Sequence, residues 1–203
     1  MELHYVFEER LAVAGWSTEF EAGKLHARTI INQPLVFMRE EDGTLIDMTD
    51  RCPHRWAPLS MGRIESGTLR CMYHGVRFGA DGRCVEVPGQ EKIPSALKVR
   101  TFAVIERHKW AWIWMGEANK ADPALIPDVS LLDREGMHMS YGQLDYEANY
   151  NLINDNLLDL SHIGFVHAKT FGRSVTPNGV PPPTPTGAGR STTVRIKVRS
   201  PNA

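Results

Sequence analysis

Apolar positions in the first half of this chain come in short runs, not in helical stripes. HARTII, PLVFMR and TLIDMT, spread from His26 to Thr49, are β-rich pieces set apart by Asn32-Gln33-Pro34 and by Asp42-Gly43. An Asp-Gly pair between two apolar strands predicts a hairpin. Gly62 and Ser66-Gly67 bracket another short strand, and Thr68-Leu69-Arg70 forms the next. The turn Phe78-Gly79-Ala80-Asp81-Gly82 precedes a strand from Cys84 to Pro88, and VRTFAVIERHKWAWIWM reads as a pair of strands. Residues 5–20 have mixed periodicity and read as a short helix running into a strand. Many short strands at this spacing predict an antiparallel β-sandwich.

The pattern then changes. Glu117 to Pro123 and Ile126-Pro127-Asp128 read as connecting chain, which divides the protein into residues 1–117 and 118–203. A single long helix is predicted from Tyr146 to about Lys169. After it come a Pro/Gly-rich loop, Thr176 to Gly189, and one strand, Thr192 to Arg199, with no sheet in view for it to join. The fold class expected is α+β, a β-sandwich followed by the start of a helix-plus-antiparallel-sheet domain.

Charge excludes more than it selects. With 23 Lys+Arg against 24 Asp+Glu there is no long-range field toward nucleic acid or anionic lipid. The longest apolar candidate, Trp110 to Met115, is too short to span a membrane. The N-terminus lacks the basic and apolar regions of a signal peptide, so a cytoplasmic protein is expected. Cys84 is the one cysteine of three left outside the motif described next, which argues against a disulfide framework.

The chemistry is concentrated in two places. Cys52-Pro-His54 and Cys71-Met-Tyr-His74 each mix one thiolate with one imidazole. A [2Fe–2S] centre held by two thiolates on one iron and two imidazoles on the other needs such pairs, and its neutral ligands raise the potential to roughly −150 to +300 mV. A structural zinc site is the competing reading, although zinc spacings usually put like ligands together. Further along stands Asp159-Leu-Ser-His162-Ile-Gly-Phe-Val-His167. Asp159 and His162 would share a helix face, but His162 and His167 are turned about 140° apart. They can meet at one metal only if the helix ends, kinks or bulges between them, and Gly164 is placed to allow it. Two His and a carboxylate with open positions form the facial triad of non-haem Fe(II) oxygenases; packing histidines are the alternative.

The order C-x-H, C-x-x-H, then D-x-x-H-x₄-H resembles the catalytic α subunit of the Rieske non-haem iron oxygenases. DRCPHRWAPLS, CMYHGVRF and NLLDLSHIGFVH look most like the vanillate O-demethylase and dicamba-monooxygenase branch. Each loop also lacks the extra cysteine found in the membrane-anchored Rieske subunits of respiratory complexes. The resemblance implies that Cys52, Cys71, His54 and His74 ligate the cluster. It implies further that His162 and His167 ligate a mononuclear iron and that Asp159 bridges electrons to the His74 of a neighbouring subunit in a homotrimer. The family's third iron ligand, a carboxylate, would lie beyond residue 203, so the sequence reads as a fragment, by itself inactive. Expected partners are a ferredoxin or a flavin/iron–sulfur reductase, a small aromatic substrate and O₂. The expected activity is hydroxylation or O-demethylation. The rival is a ferredoxin-type electron carrier with no oxygenase site of its own.

Overall fold

The computed structural model describes residues 10–136, 139–146, 148–167, 169 and 191–198, the strands 139–146 and 191–198 by their backbone. The chain divides into two compact units, Met1–Ser130 and Leu131–Ala203. The strands of the first unit are β1 (Leu11–Trp16), β2 (His26–Ile30), β3 (Gln33–Arg39), β4 (Leu45–Thr49), β5 (Arg63–Glu65), β6 (Thr68–Arg70), β7 (Arg77–Phe78), β8 (Cys84–Glu86), β9 (Ala103–Arg107) and β10 (Trp110–Trp114). They form three antiparallel sheets, ordered β1-β10-β9, β2-β3-β4 and β5-β6-β7-β8.

β3 organises the unit. Side chains alternate across a strand, and here both faces are buried: Leu35 and Phe37 enter one core, Val36 and Met38 the other. This is why PLVFMR is a continuous apolar run and not an alternating one. The first core also holds Phe20, Leu45, Phe102, Ala111 and Ile113. The second contains Met48, Leu59, Leu69, Val76, Phe78 and Val99, together with Cys52 and Cys71. β10 is buried at all five positions. Arg39 closes the end of β3, donating both arms to Glu106 at 2.7 and 2.8 Å and Nε to the Phe20 carbonyl.

Three hairpins use two-residue turns with both residues at positive φ: Ile31-Asn32, Ser66-Gly67 and His108-Lys109. Such turns match the strand twist but favour Asn and Gly, so the first and last were not predicted from composition. The Asp42-Gly43 hairpin forms as expected, with Asp42 Oδ1 accepting from the Thr44 N–H at 2.8 Å. Helix is not seen at residues 11–16, which are strand; the rest of the expected N-terminal helix, up to residue 9, lies outside the described residues.

Gly82 is held by a close approach. Its φ is +75°, and a Cβ there would sit 2.2 Å from the Val99 carbonyl oxygen. Gly82→Ala is therefore expected to cost roughly 3 kcal/mol, combining left-handed strain with a backbone clash. Thermal unfolding should show a Tm lower by about 10 °C; an unchanged Tm would mean that the Val99 segment moves aside freely.

The second unit corrects three expectations. Met139–Tyr146 forms strand β11, which was not predicted, and it pairs in parallel with β12, Ser191–Val198. The C-terminal strand thus has a partner, in parallel and not in the antiparallel arrangement expected; Arg199 and the loop 176–189 lie outside the described residues. The long helix is divided. α1 spans Tyr150–Leu158, capped by Asn149, whose side chain accepts from the Asn151 N–H. Asp159 then leaves helical geometry (φ −91°, ψ 95°) and caps a single 3-10 turn, Leu160–His162, before α2, Ile163–Val166. Gly164 stays helical inside α2, so the break is made by Asp159. An Asp carboxylate starts a new turn more readily than it continues an old one. Among the described residues no helix is long and apolar enough to cross a membrane.

Candidate metal centres

Two loops project from the second core with the same backbone plan. In the first, the Cys52 N–H donates to the Ala57 carbonyl at 2.8 Å, and the Trp56 N–H donates back to the Cys52 carbonyl at 2.7 Å. In the second, Cys71 N–H reaches the Val76 carbonyl at 2.9 Å and Gly75 N–H the Cys71 carbonyl at 3.1 Å. The fourth residue after each cysteine turns left-handed: Trp56 at φ +61° and Gly75 at φ +72°. Glycine takes this conformation without strain; tryptophan does not. Trp56 is also exposed, with the Arg51 guanidinium 5.7 Å from its ring.

These loops sort the four donors by chemistry. Cys52 and Cys71 are buried and lie close enough for their thiols to interact. His54 and His74 are exposed, their rings 4.6 Å apart and edge-on. Tyr73 leans on His74 at 3.9 Å. Burial first, and then the neighbouring Cys71, pushes the Cys52 thiol up to about 11. Among the described residues no three His, Cys, Asp or Glu side chains converge as a single metal ion requires. Thiols gathered inside and imidazoles outside suit two irons in different ligand fields. Cys84 stays apart, half-buried in β8, with its Sγ 3.4 Å from the Glu86 carbonyl.

Contacts supporting the loops were not legible from ligand spacing. Asp50 is buried and clasps Ser60, accepting from its N–H and its hydroxyl at 2.6 Å each, so the first loop is tied at its base. Arg70, just before Cys71, donates to the Gly75 carbonyl at 2.8 Å. The one available signal was a charged residue within two positions before each ligand motif.

In the second unit, His162 and His167 end the short α2 on either side, and their rings lie 5.5 Å apart. The helix therefore ends between them, as their meeting required. His162 Nδ1 lies 2.6 Å from the Asp159 main-chain oxygen. A carbonyl only accepts, so Nδ1 carries the proton and Nε2 keeps the lone pair that a metal takes. The contact runs through the Asp159 main chain and not through its carboxylate. That group instead accepts from the Ser161 N–H at 2.9 Å, and hydrogen bonding from the Ser161 side chain first, then from its N–H, and then the nearby His162 hold its pKa below the usual carboxylate value. Among the described residues no carboxylate completes a group of three with the two histidines.

Known proteins resemble this chain over most of its length. Residues 11–102 match the Rieske [2Fe-2S] domain family, and residues 146–201 the vanillate O-demethylase oxygenase C-terminal domain family. The iron–sulfur subunit of the toluene-4-sulfonate monooxygenase system of Comamonas testosteroni is 44% identical over 79% of this chain and 46% of its own length. The oxygenase component of dicamba O-demethylase from Stenotrophomonas maltophilia is 43% identical over 69% of this chain and 42% of its own. A crystal structure of dicamba monooxygenase with non-haem iron and dicamba superposes with a TM-score of 0.67 at 37% identity, covering 76% of this chain and 47% of that one. The chain spans about half the length of the curated relatives it matches. The cofactors of these proteins, a [2Fe–2S] cluster and a mononuclear iron, suit the donors found in the two units. Paired Cys–His loops in a β domain, a helix-borne histidine pair after it, and matches to both domain families in this order lead to one conclusion: the chain belongs to the Rieske non-haem iron oxygenases.

Proposed function

We propose that this protein is the oxygenase component of a Rieske monooxygenase that hydroxylates or O-demethylates an aromatic small molecule, with electrons from a separate ferredoxin or reductase. The observation that carries this reading is the second histidine pair: an electron carrier needs the Cys–His loops but has no use for His162 and His167. In this reading residues 1–117 hold the cluster and 118–203 begin the catalytic domain, the turns over 118–133 connecting them. Relatives are named for toluene-4-sulfonate, dicamba and vanillate, so substituted arenes are the substrate class. A cytoplasmic location belongs to the same reading.

Cys52 and Cys71 would hold one iron of the cluster and His54 and His74 the other, while His162 and His167 would hold the mononuclear iron. When bound, these groups supply single electrons and the activation of O₂ beside substrate. The chain's own residues set the geometry. Buried Cys52 and Cys71 keep water from the thiolate side, and exposed His54 and His74 present their outer nitrogens to a partner. Asp159 fixes the tautomer of His162 through its carbonyl, and its exposed carboxylate, held by Ser161, can face a neighbouring subunit. We assign that carboxylate to the electron path toward the partner's His74 in a head-to-tail trimer, a heterologous contact that closes. The third iron ligand lies outside the described residues.

The test combines metal counting with product analysis. A version of the protein extended to the full length of its relatives is purified, supplied with reductase, NADH and O₂, and offered methoxyarenes and methylarenes. Formaldehyde or a benzylic alcohol formed in step with NADH use is expected, with about three irons per chain. Two irons per chain, with reversible reduction and no product from any arene, would overturn the oxygenase reading in favour of a carrier.

A further inference from the structure

The second loop has an outer support that the first lacks. Arg70 ends β6 directly before Cys71, and its side chain is only 13% exposed. Its guanidinium is held on two sides by carboxylates. Nε donates to Glu65, while Nη1 and Nη2 each donate to Glu86 at 3.1 Å. Nη2 also reaches Glu65 at 3.5 Å, and Nη1 donates at 2.8 Å to the carbonyl of Gly75, the residue after His74. Gly75 is confined from that side too: a Cβ on it would meet Pro88 Cγ at 3.1 Å and Arg70 Nη1 at 3.4 Å. Arg77 belongs to the same lattice, donating to Glu86 at 2.9 Å, to Thr68 Oγ1 at 2.8 Å and to the Glu65 carbonyl, none of them in the ligand loop.

We propose that Arg70 is a positioning residue for His74, holding the Gly75 carbonyl from a lattice built into β5, β6 and β8. The inference rests on the reading of these loops as the cluster's ligands. Its logic is mechanical and electrostatic together. A rigid, forked cation fixed by two carboxylates loses little freedom on gripping a carbonyl. Charge-assisted bonds of this kind are the strong ones. The grip falls on the peptide that ends the left-handed turn, so it sets the direction in which His74 leaves the loop. Ligand orientation, solvent access and hydrogen bonds to the sulfurs tune an iron–sulfur centre. A loop released at Gly75 changes all three. Lysine cannot replace this function, because its compact ammonium cannot face both carboxylates and the carbonyl.

The experiment compares Arg70→Gln with Arg77→Gln in the iron-loaded protein. Three readouts are taken: Tm, the EPR line positions after anaerobic reduction, and the rate at which a ferrous chelator bleaches the visible spectrum. Both variants are expected to lower Tm. Only Arg70→Gln should shift the EPR lines and speed bleaching, by about tenfold, the equivalent of one lost charge-assisted hydrogen bond. Arg77→Gln should keep the parent's lines and bleach within about twofold of its rate, since one cation of the lattice is lost without touching the loop. If Arg70→Gln does not accumulate, Arg70→Lys carries the same comparison, because it keeps the charge facing Glu65 and Glu86. Parental lines and bleaching in a folded Arg70 variant, or an equal spectral shift in Arg77→Gln, would overturn the assignment and leave Arg70 a stabilising residue only. A parent protein with no reduced-cluster signal at all would overturn the cluster reading itself, and the inference with it.

Discussion

Cys71→Ser is expected to yield a folded but colourless protein, without the rhombic EPR signal and with the cluster's two irons missing from the metal count. Three features make the effect this large. The thiolate is the ligand, and a serine hydroxyl does not ionise at neutral pH to take its place. Cys71 shares its pocket with Cys52 in an apolar core that also contains Leu59, Leu69, Val76 and Phe78. No spare thiol is at hand, because Cys84 sits in β8 beside the Glu86 carbonyl. The fold should persist, because the loop is closed by its own backbone bonds from Cys71 to Val76 and from Gly75 to Cys71. Assembly in the parent should also release protons. Burial keeps the Cys52 thiol protonated up to about 11, and iron must displace that proton. Cluster reconstitution followed by absorbance should therefore be slower and less complete at lower pH. Retention of full colour in Cys71→Ser would remove Cys71 from the ligand set.

Asp47→Asn should raise stability above neutral pH and flatten its dependence on pH. Asp47 lies in β4 opposite Phe37, on the face it shares with Leu45, and is almost wholly buried. Its Oδ1 accepts from the Phe102 N–H at 3.0 Å, while Oδ2 has no partner. Burial pushes its pKa from an ordinary 3.8 to about 7, against the small lowering from Phe102. The sign follows from proton counting. Between about pH 4 and 7 the folded chain binds a proton that the unfolded chain has lost, so stability is full below this window and falls as pH rises through it. The loss approaches roughly 4 kcal/mol by pH 8. Asparagine keeps the Phe102 bond and cannot ionise. Glu65, Glu86 and Glu106 act oppositely: arginine bonds hold their pKa values down, and their contribution is lost as pH falls below the ordinary carboxylate range. Denaturant unfolding across pH 4 to 9 checks the prediction, and parallel curves for parent and variant would contradict it.

How much of this was legible in the sequence depended on whether the cause was local. PLVFMR and WAWIW were legible as strands, and burial on both faces is why they lack polar alternation. Asp42-Gly43 announced its hairpin because the turn demands those residues. Ile31-Asn32 and His108-Lys109 adopt the same left-handed geometry without the usual residues, so strand pairing imposes what the turn does not request. β11 was missed because MSYGQLDY alternates weakly around Gly142, and its parallel partner is far along the chain, where no short-range pattern reaches. Gly164 was the expected place for a break between the histidines, yet it stays helical and α2 ends only at Val166; the earlier break, before His162, follows from the hydrogen-bonding appetite of Asp159. At the site, ligand spacing showed which donors share a loop. The carbonyl grips of Arg70 and Asp159 leave no periodicity or motif to read.

A strand that belongs to two interiors at once has a kinetic consequence. β3 cannot detach from one core without leaving the other, so the first unit has no half that opens independently through its middle. Its amides should exchange with solvent only through global unfolding, and their protection should track the full unfolding free energy. Subglobal openings would be confined to the rims, where β5 to β8 carry the second loop. Oxidative or chelating attack on the centre would then begin from the outer sheet, with the interior still intact.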